Sequence, residues 1–591
     1  MNIKNLKYAA VALLLGMGMS SCDDFLDRPV EDNYNTDNFY TNDNACLMGV
    51  NYLYNSPWYD FQRGFIKVGE VMSGNMYWGS SPYLNFSVNG TNEDLVNMSY
   101  SLWAEIAHAN TVYNNLKNAT ASQSIIQQCM GECLAWKAMA YFFLVRSFGD
   151  VPIIHDNASN MASGDYNSLS KVQKADVYEY ILMTLEKAME LLPKTKSTTG
   201  RIDYYCAEGL YAKVLLTAAG VSGSLNNTYL QKASSASLDV IQNSGRTLMA
   251  NYDDIFRGSN NVSDESLFAW RWTVGSHWTC QNTQQSDLMP EGFDEFGDCW
   301  GGWGGPSADL QDAFGYDVTE NPSKRIDTDA RRKATMMGPG DTYSYFWRDH
   351  DLGNGKKGLD ILKFYFDKKY NKGATGEFQG PCGVQNVKHA YGNNADHLAE
   401  CGMSAARMAY AVATHVLRLA DVYLVHAEAE VLQGKTTSAT ALEAFDAVRQ
   451  RSVPSAANKT SLTFDDIWKE RRLEFAGEGD RWYDFVRRAY YDVNACITEL
   501  TNQRRNAIWG CSKVYKQYYE SDGTIWIPQG NGKTEGDDAI TGIQYDTETP
   551  KPNVTAQSFI LPYPTEDVAL NPNLGSNVEP IHVDVREVYA Y

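Results

Sequence analysis

Apolar residues recur every three or four positions in several long segments of this chain, and this spacing constrains the fold more than any other feature. The runs are Leu134, Ala138, Tyr141 and Val145; Val177, Ile181, Leu185, Ala188 and Leu192; Leu210, Tyr211, Val214 and Leu215; Leu417, Ala420, Leu424, Ala427 and Val431; and Leu442, Phe445 and Val448. Residues at this spacing share one face of an α-helix. Each segment is therefore predicted to be an amphipathic helix that buries its apolar face.

The helices are predicted to pair as antiparallel hairpins. A short turn, Leu432-Gln433-Gly434-Lys435, separates the last two runs, and glycine commonly ends a helix. Such hairpins are similar to tetratricopeptide repeats, although a strict repeat of roughly 34 residues is absent. We expect a mainly α-helical fold in which helix hairpins form the scaffold.

The region from about 220 to 405 has a different character. It is rich in aromatic and glycine-containing loops, and it contains short strand-like runs such as 266–272. Binding surfaces are often built from loops on a rigid frame. The region is predicted to be a loop-rich ligand-binding insertion with a few short strands. Because no long Pro-, Gly- or Ser-rich linker divides the 591 residues, we expect a single large domain.

The N-terminus has the features of a secretory signal. Lys4 and Lys7 precede an apolar run, and the segment ends in Ser20-Ser21-Cys22. Small residues leading into a cysteine resemble the lipobox of bacterial lipoproteins. Residues 1–21 are thus predicted to be a lipoprotein signal peptide, and Cys22 the lipidated first residue of the mature domain, 22–591.

The residues after the cysteine give a location. Asp23-Asp24 resembles the pattern that sends lipoproteins of Bacteroidetes-type bacteria to the cell surface. No later segment is apolar enough to form a membrane-spanning helix. We therefore expect a lipid-anchored protein on the outer face of the outer membrane.

Charge restricts the class of ligand. The formal net charge is −21 at pH 7, and the resulting field opposes nucleic acid, anionic lipid headgroups and sulfated polymers. A neutral ligand fits this charge better.

The eleven cysteines show no CxxC pair and no zinc-ribbon spacing. No metal site and no cofactor are predicted from them. Cys280–Cys299 and Cys382–Cys401 are candidate disulfides that only geometry can test.

Short motifs also follow one another through almost the whole chain. They are Cys22–Asp27 with Phe39-Tyr40, Trp103 with Ala109-Asn110, Glu132–Pro152, Pro306–Leu310 with Ala313-Phe314, Arg418–Asp421 with Glu428-Ala429, Glu470–Phe475 with Gly479–Phe485, and Leu561–Pro564 with Leu570–Asn573. In their order they resemble the SusD/RagB-like outer-membrane nutrient-binding lipoproteins. That resemblance implies four tetratricopeptide-like helix pairs supporting a variable ligand-binding face. It also implies a partner, a SusC-like TonB-dependent transporter on which the lipoprotein sits as a lid.

Catalysis is not expected. Glu470 and Glu474 lie at helical spacing with Arg471 and Arg472 between them. Glycoside hydrolysis needs two carboxylates across a cleft, one of them with a raised pKa, whereas neighbouring arginines keep carboxylates ionised. The segment is predicted to be a structural ion-pair network, and the protein not to be an enzyme.

Aromatic residues in polar loops are the best candidates for ligand contacts. The 14 Trp and 37 Tyr exceed what a helical core requires. Sugar rings stack their C–H faces on aromatic planes, and their hydroxyls need polar partners nearby. Trp270 and Trp272 share one face of the strand-like run; they are predicted to be core, with a ligand platform as the alternative.

The resemblance places the binding aromatics in two loops, one after the first helices and one just before the motif at Pro306. By that resemblance the predicted ligand-binding residues are Trp78, Trp300 and Trp303 first, then Tyr77 and Trp278, with Asn75, Arg348 and Asp349 as hydroxyl partners. The ligand is predicted to be a neutral polysaccharide or oligosaccharide, with a plant hemicellulose such as xyloglucan favoured. A RagB-like peptide-binding lipoprotein is the alternative.

Overall fold

The computed structural model describes residues 39–79, 81–527, 530, 541–547 and 551–591. The predicted signal peptide, Cys22 and the motif Cys22–Asp27 lie outside these residues. Within them, no helix combines the length and the apolar character needed to cross a membrane.

The fold is mainly helical. The first helices are α1 Asp43–Asn51, α2 Phe61–Ile66 (continued by a π-helical turn, Lys67–Met72), α3 Glu93–Leu116, α4 Gln123–Phe148, α5 Asn157–Ser163, α6 Lys174–Leu191, α7 Tyr204–Ala218 and α8 Asn227–Asn243. Short helices follow: α9 Gln284–Leu288, α10 Ala308–Ala313, α11 Ala330–Thr335, α12 Ile361–Phe366 and α13 Asn394–Cys401. The last are α14 Leu419–Leu432, α15 Ala439–Ser452, α16 Phe464–Phe475, α17 Arg481–Asn502, α18 Cys511–Glu520, α19 Thr565–Leu570 and α20 Val585–Val588.

The long helices stack on one another in chain order. Contacts join α3 to α4, α4 to α6, α6 to α7, α7 to α8, α8 to α14, and α14 to both α15 and α16. The apolar runs that predict helices fall in α4, α6, α7, α14 and α15, so the helical scaffold is confirmed. Two residues differ, because Leu192 lies just after the end of α6 and Leu417 lies in a strand just before α14. Gly434 ends α14 with a φ of +82°, a conformation that glycine adopts without strain.

Helix α4 is the centre of the core. Every residue from Gly131 to Phe148 is buried, on all sides of the helix. A helix that is apolar all round belongs in a protein interior, and α4 is covered by α1, α3, α6 and α17.

The strands are short and form six antiparallel pairs in the described ranges. They are β1 Met76–Trp78 with β3 Gly304–Pro306, β2 Ser266–Trp270 with β10 Thr414–Arg418, β4 Met336–Met337 with β9 Gln385–Asn386, β5 Thr342–Tyr343 with β8 Leu359–Asp360, β6 Asp351–Gly353 with β7 Lys356–Lys357, and β11 Ile508–Trp509 with β12 Gln544–Tyr545. The β2–β10 pair ties the middle region to the start of α14. Trp270 and Trp272 are buried, and Trp270 stacks on Trp58, which confirms them as core.

The loop-rich region begins later than the sequence indicates. Residues 227–243 form α8, a scaffold helix of 17 residues that packs on α7 and α14. Its pattern is hard to recognise from sequence because polar residues occupy most positions outside the narrow buried stripe. From 244 to 405, no described helix is longer than the 8 residues of α13.

Neither candidate disulfide forms, since every cysteine in the described ranges is free. The sulfur atoms of Cys280 and Cys299 contact different residues. Cys280 hydrogen-bonds Ser56 at 3.2 Å, whereas the thiol of Cys299 donates at 3.3 Å to an aspartate five positions earlier. Cys382 is fully buried, and Cys401 is only half-buried on α13.

Candidate ligand-binding site

Pairing of β1 with β3 brings two distant loops together. Trp78 lies opposite Gly304 in the register, and the next residue toward the N-terminus is Trp303. The Trp78 ring covers Gly304 so closely that a Cβ there would lie 3.0 Å from its Cε3 atom. The two loops that the sequence indicates as binding loops are therefore neighbours.

Trp300 is held at the surface by its own turn. The 3-10 turn Gly301–Trp303 rests on α9, where a Cβ on Gly301 would fall 2.3 Å from the backbone carbonyl carbon of Leu288. The backbone N–H of Trp300 donates to the carbonyl oxygen of Ser286 at 2.9 Å. Glycine at 301 thus permits a close approach that fixes the loop.

Exposure separates a few tryptophans from the rest. Of the fourteen, Trp278, Trp300 and Trp303 are exposed, by 53%, 39% and 79%, and Trp78 is half-buried. A large apolar ring costs free energy when it is left in water. Three such rings on neighbouring segments therefore point to a ligand surface rather than to chance exposure.

Trp78 and Trp300 line one open pocket, which we call the tryptophan pocket. It encloses about 570 Å³ of empty space, including space open to solvent, and it is lined by Gln62, Arg63, Ile66, Lys67, Trp78, Gln284, Asp287, Leu288 and Trp300. A mixture of apolar walls with a few polar groups is common in ligand pockets.

Asp287 organises the polar part of the pocket. It accepts a hydrogen bond from the indole Nε1 of Trp300 at 2.8 Å and another from Nε of Arg63 at 3.0 Å. The Arg63 side chain is half-exposed, so its outer N–H groups face solvent. Lys67 pairs with Asp94 at 2.5 Å and lies 5.4 Å from the centre of the Trp78 ring.

Trp278 lies beside Tyr59, two residues before the start of α2. Its ring packs edge-on against Tyr59, with centroids 6.2 Å apart. Burial, with a smaller contribution from Asp60, raises the pKa of Tyr59 to about 12, so the phenol remains neutral at physiological pH. Tyr59, Arg63 and Lys67 repeat every four positions and are at least partly exposed, whereas the residues on either side of Arg63 and of Lys67 are buried.

The other predicted site residues lie elsewhere. Asn75 is 1% exposed: its amide donates to Glu70 at 3.0 Å and its carbonyl accepts from Arg472 at 2.8 Å. It does not line the tryptophan pocket, and its role as a hydroxyl partner stays a prediction. Tyr77 is half-buried and, as the neighbour of Trp78 in a strand, points to the opposite face.

Arg348 and Asp349 belong to a cluster around α13. Arg348 pairs with Glu400, and Asp349 accepts a hydrogen bond from Asn393 at 2.8 Å. In the part of the chain that the structure describes, neither lines the tryptophan pocket.

Sequence reasoning missed the polar half of the pocket. Arg63, Lys67 and Asp287 carried no motif, and Asp287 lies far along the chain from the other two. The four-residue spacing of Tyr59, Arg63 and Lys67 could have identified the exposed side of the segment 59–67, which contains α2.

The predicted ion-pair network is confirmed and lies away from the pocket. Glu470 and Glu474 are buried, and Arg331 bridges them at 2.6 and 3.2 Å. Burial alone would raise the pKa of Glu474, but Arg451, Arg418 and Arg331 hold it at about 2. A carboxylate ionised this firmly cannot serve as a proton donor.

Comparison with known proteins identifies relatives along the whole chain. The sequence model described as "SusD family" matches residues 241–580, and one described as "Starch-binding associating with outer membrane" matches residues 28–216. A SusD-like protein of Bacteroides ovatus is 31% identical over 590 residues, which cover 97% of each chain.

Solved structures share the fold. A crystal structure obtained with xylogluco-oligosaccharide superposes with a TM-score of 0.73 at 27% identity, covering 91% of this chain and 100% of that one. A laminarin-binding SusD-like protein superposes with a TM-score of 0.59 at 22% identity, covering 90% of this chain and 98% of that one. At that lower identity the likeness shows the fold alone.

Proposed function

This chain belongs to the SusD family, and from that premise we propose that it captures a neutral glycan in the tryptophan pocket and delivers it to a SusC-like TonB-dependent transporter. The observation that carries the proposal is the placement of Trp78 and Trp300 on one pocket, with Trp278 and Trp303 exposed beside it. Recognition needs no chemical step, since the rings and their polar neighbours only bind.

The pocket offers both kinds of contact that a sugar requires. Indole faces can stack on the C–H faces of the rings. Arg63 and Lys67 can donate hydrogen bonds to hydroxyl or ring oxygens, and Gln62 and Gln284 add amide groups to the lining. Because the pocket is open, each sugar unit contributes modestly, and affinity increases with the number of units engaged.

A hemicellulose such as xyloglucan is the preferred class of ligand. The relative that superposes over 91% of this chain was crystallised with a xylogluco-oligosaccharide. The net charge of −21 also favours an uncharged polymer over an acidic one. Lipidation of Cys22 would hold the protein on the outer membrane beside the transporter, in line with its sequence motifs.

The test is binding to a panel of neutral and acidic polysaccharides. The soluble chain lacking residues 1–22 is run through affinity gels and titrated by calorimetry with oligosaccharides, alongside Trp300→Ala and Trp78→Ala. We expect one class of neutral glycan to retard the wild type. Each substitution should weaken binding by about tenfold or more, as loss of roughly 1.4 kcal/mol or more of contact energy requires.

A matched control separates the pocket from surface aromatics in general. Tyr166→Ala removes another exposed ring, on a turn that does not line the pocket, and should leave binding unchanged. If a folded wild type bound no neutral glycan but retained oligopeptides from a mixed digest, the peptide-binding alternative would replace this proposal.

A further inference from the structure

The loop 294–299, immediately before Trp300, brings two carboxylates and a thiol together. Asp294, Asp298 and Cys299 are all buried, and each offers one ligand atom within 4.8 Å of the other two. This cluster does not line the tryptophan pocket, and the spacing of cysteines in the sequence does not indicate it.

Backbone hydrogen bonds fix one oxygen of each carboxylate. Oδ1 of Asp294 accepts from the N–H groups of Phe296 at 3.0 Å and Gly297 at 3.1 Å. Oδ2 of Asp298 accepts from the N–H of Met408. Both side chains are thereby oriented before any ligand arrives, as the ligands of metal sites commonly are.

The remaining oxygens have little to bind. Oδ1 of Asp298 is buried and has no hydrogen-bond donor among the described residues, although the whole side chain is only 3% exposed. Oδ2 of Asp294 is contacted by the thiol of Cys299 at 3.3 Å.

Over the described ranges, no lysine, arginine or histidine forms a salt bridge with Asp294 or Asp298. A buried carboxylate oxygen without a donor or a cation destabilises the folded state.

We propose that Asp294, Asp298 and Cys299 bind a divalent cation, with Zn²⁺ as the preferred ion. Two carboxylate oxygens and one sulfur form a donor set that zinc accepts, whereas calcium and magnesium require oxygen ligands in larger number. A water molecule would complete a four-coordinate site. The ion would supply the positive charge that the cluster lacks and would tie down the segment leading to Trp300.

The experiment uses Zn²⁺ itself. The untagged chain lacking residues 1–22 is stripped with a chelator, dialysed against Zn²⁺ or Mg²⁺, and analysed for bound metal and for its thermal midpoint. We expect one zinc per chain and a midpoint raised by several degrees, because an ion that binds only the folded state stabilises it. Asp298→Asn and Cys299→Ser should each weaken zinc binding about 100-fold or more.

Controls address other thiols and other acid pairs. Cys401→Ser removes a half-buried thiol, and Glu208→Gln disrupts a second pair of neighbouring carboxyl groups; both should bind zinc like the wild type. Asp298→Asn keeps the shape of the side chain, so it remains informative if Cys299→Ser does not fold. Absence of stoichiometric zinc in the wild type, or equal binding by the Asp298 and Cys299 variants, would overturn the proposal. Neither result bears on glycan binding.

Discussion

Trp300 shows how a single side chain can be exposed and still be fixed. Its ring lies at the surface, yet its indole nitrogen donates to Asp287, which also accepts from Arg63. An oriented ring loses little conformational entropy when a ligand stacks on it. We therefore regard Asp287 as a positioning residue for the pocket.

Replacing Asp287 by Ala should weaken glycan binding about tenfold, because both Trp300 and Arg63 lose the acceptor that orients them. Calorimetric titration with the oligosaccharide identified from the panel measures the change. Asp312→Ala is the matched control, since Asp312 forms an exposed pair with Arg504. Equal affinities for Asp287→Ala and the wild type would show that the ring needs no such anchor.

Buried ion pairs join the elements at the second half of the scaffold. Arg418, at the end of β10, contacts Glu265 at 2.5 Å, Glu474 of α16 at 3.0 Å and Glu478 at 2.6 Å. The arginine is 1% exposed. Glu265 is distant along the chain from Glu474 and Glu478, so this one guanidinium fixes the relative positions of two segments.

Arg418→Met should lower the free energy of unfolding by about 3–5 kcal/mol, because it removes one cation from each of three buried carboxylates. Chemical denaturation measures the loss. Arg586→Met, which removes a pair of exposed contacts with Glu179 and Glu186, should cost at most about 1 kcal/mol. Comparable losses in the two variants would contradict the structural role assigned to the buried network.

A second contact between elements depends on pH. Burial, with a smaller contribution from the nearby carboxylate of Asp239 on α8, raises the pKa of Glu208 on α7 to about 8. The unfolded group has a pKa of 4.5. Between these two values the folded chain keeps a proton that the unfolded chain has lost, so stability falls as pH rises.

The contribution of Glu208 is thus fully present below pH 4.5 and is lost as pH rises through about 8. Glu208→Gln should make the free energy of unfolding fall less steeply with pH. At the alkaline end the variant should be about 1–2 kcal/mol more stable than the wild type, a figure reduced to allow for partial solvent exposure. Denaturation curves across this pH range test it. Asp239→Asn should flatten the decline as well, and a slope unchanged in both variants would exclude the pair as its source.

At the scale of the whole molecule, the pocket is a junction of loops on a rigid frame. Helix α2 packs on α3 of the scaffold. Strand β1 follows α2 along the chain and pairs with β3, and the β2–β10 pair ties the loop-rich region to α14. The ring-bearing loops are short and touch well-packed helices. Ligand specificity can therefore change through loop residues while the helical scaffold remains constant.

The sequence by itself determined the helical scaffold, the core positions of Trp270 and Trp272, the ion-pair role of Glu470 and Glu474, and the family. The first three follow from periodicity and from charges that lie close together along the chain, because a helix or a strand fixes which near neighbours share a face. The family follows from the resemblance of short motifs in their order along the chain. It also selected Trp278, Trp300 and Trp303, the three tryptophans that the fold leaves exposed.

Only the tertiary structure decided which polar groups join them. Asn75 and Trp78 are three residues apart, yet packing against Arg472 buries one and the β1–β3 pairing presents the other. Asp287 reaches Arg63 across more than 200 positions of sequence, and where each sulfur packs excludes the two candidate disulfides. Such contacts depend on how separate elements meet in space, and no local pattern in one sequence encodes that geometry.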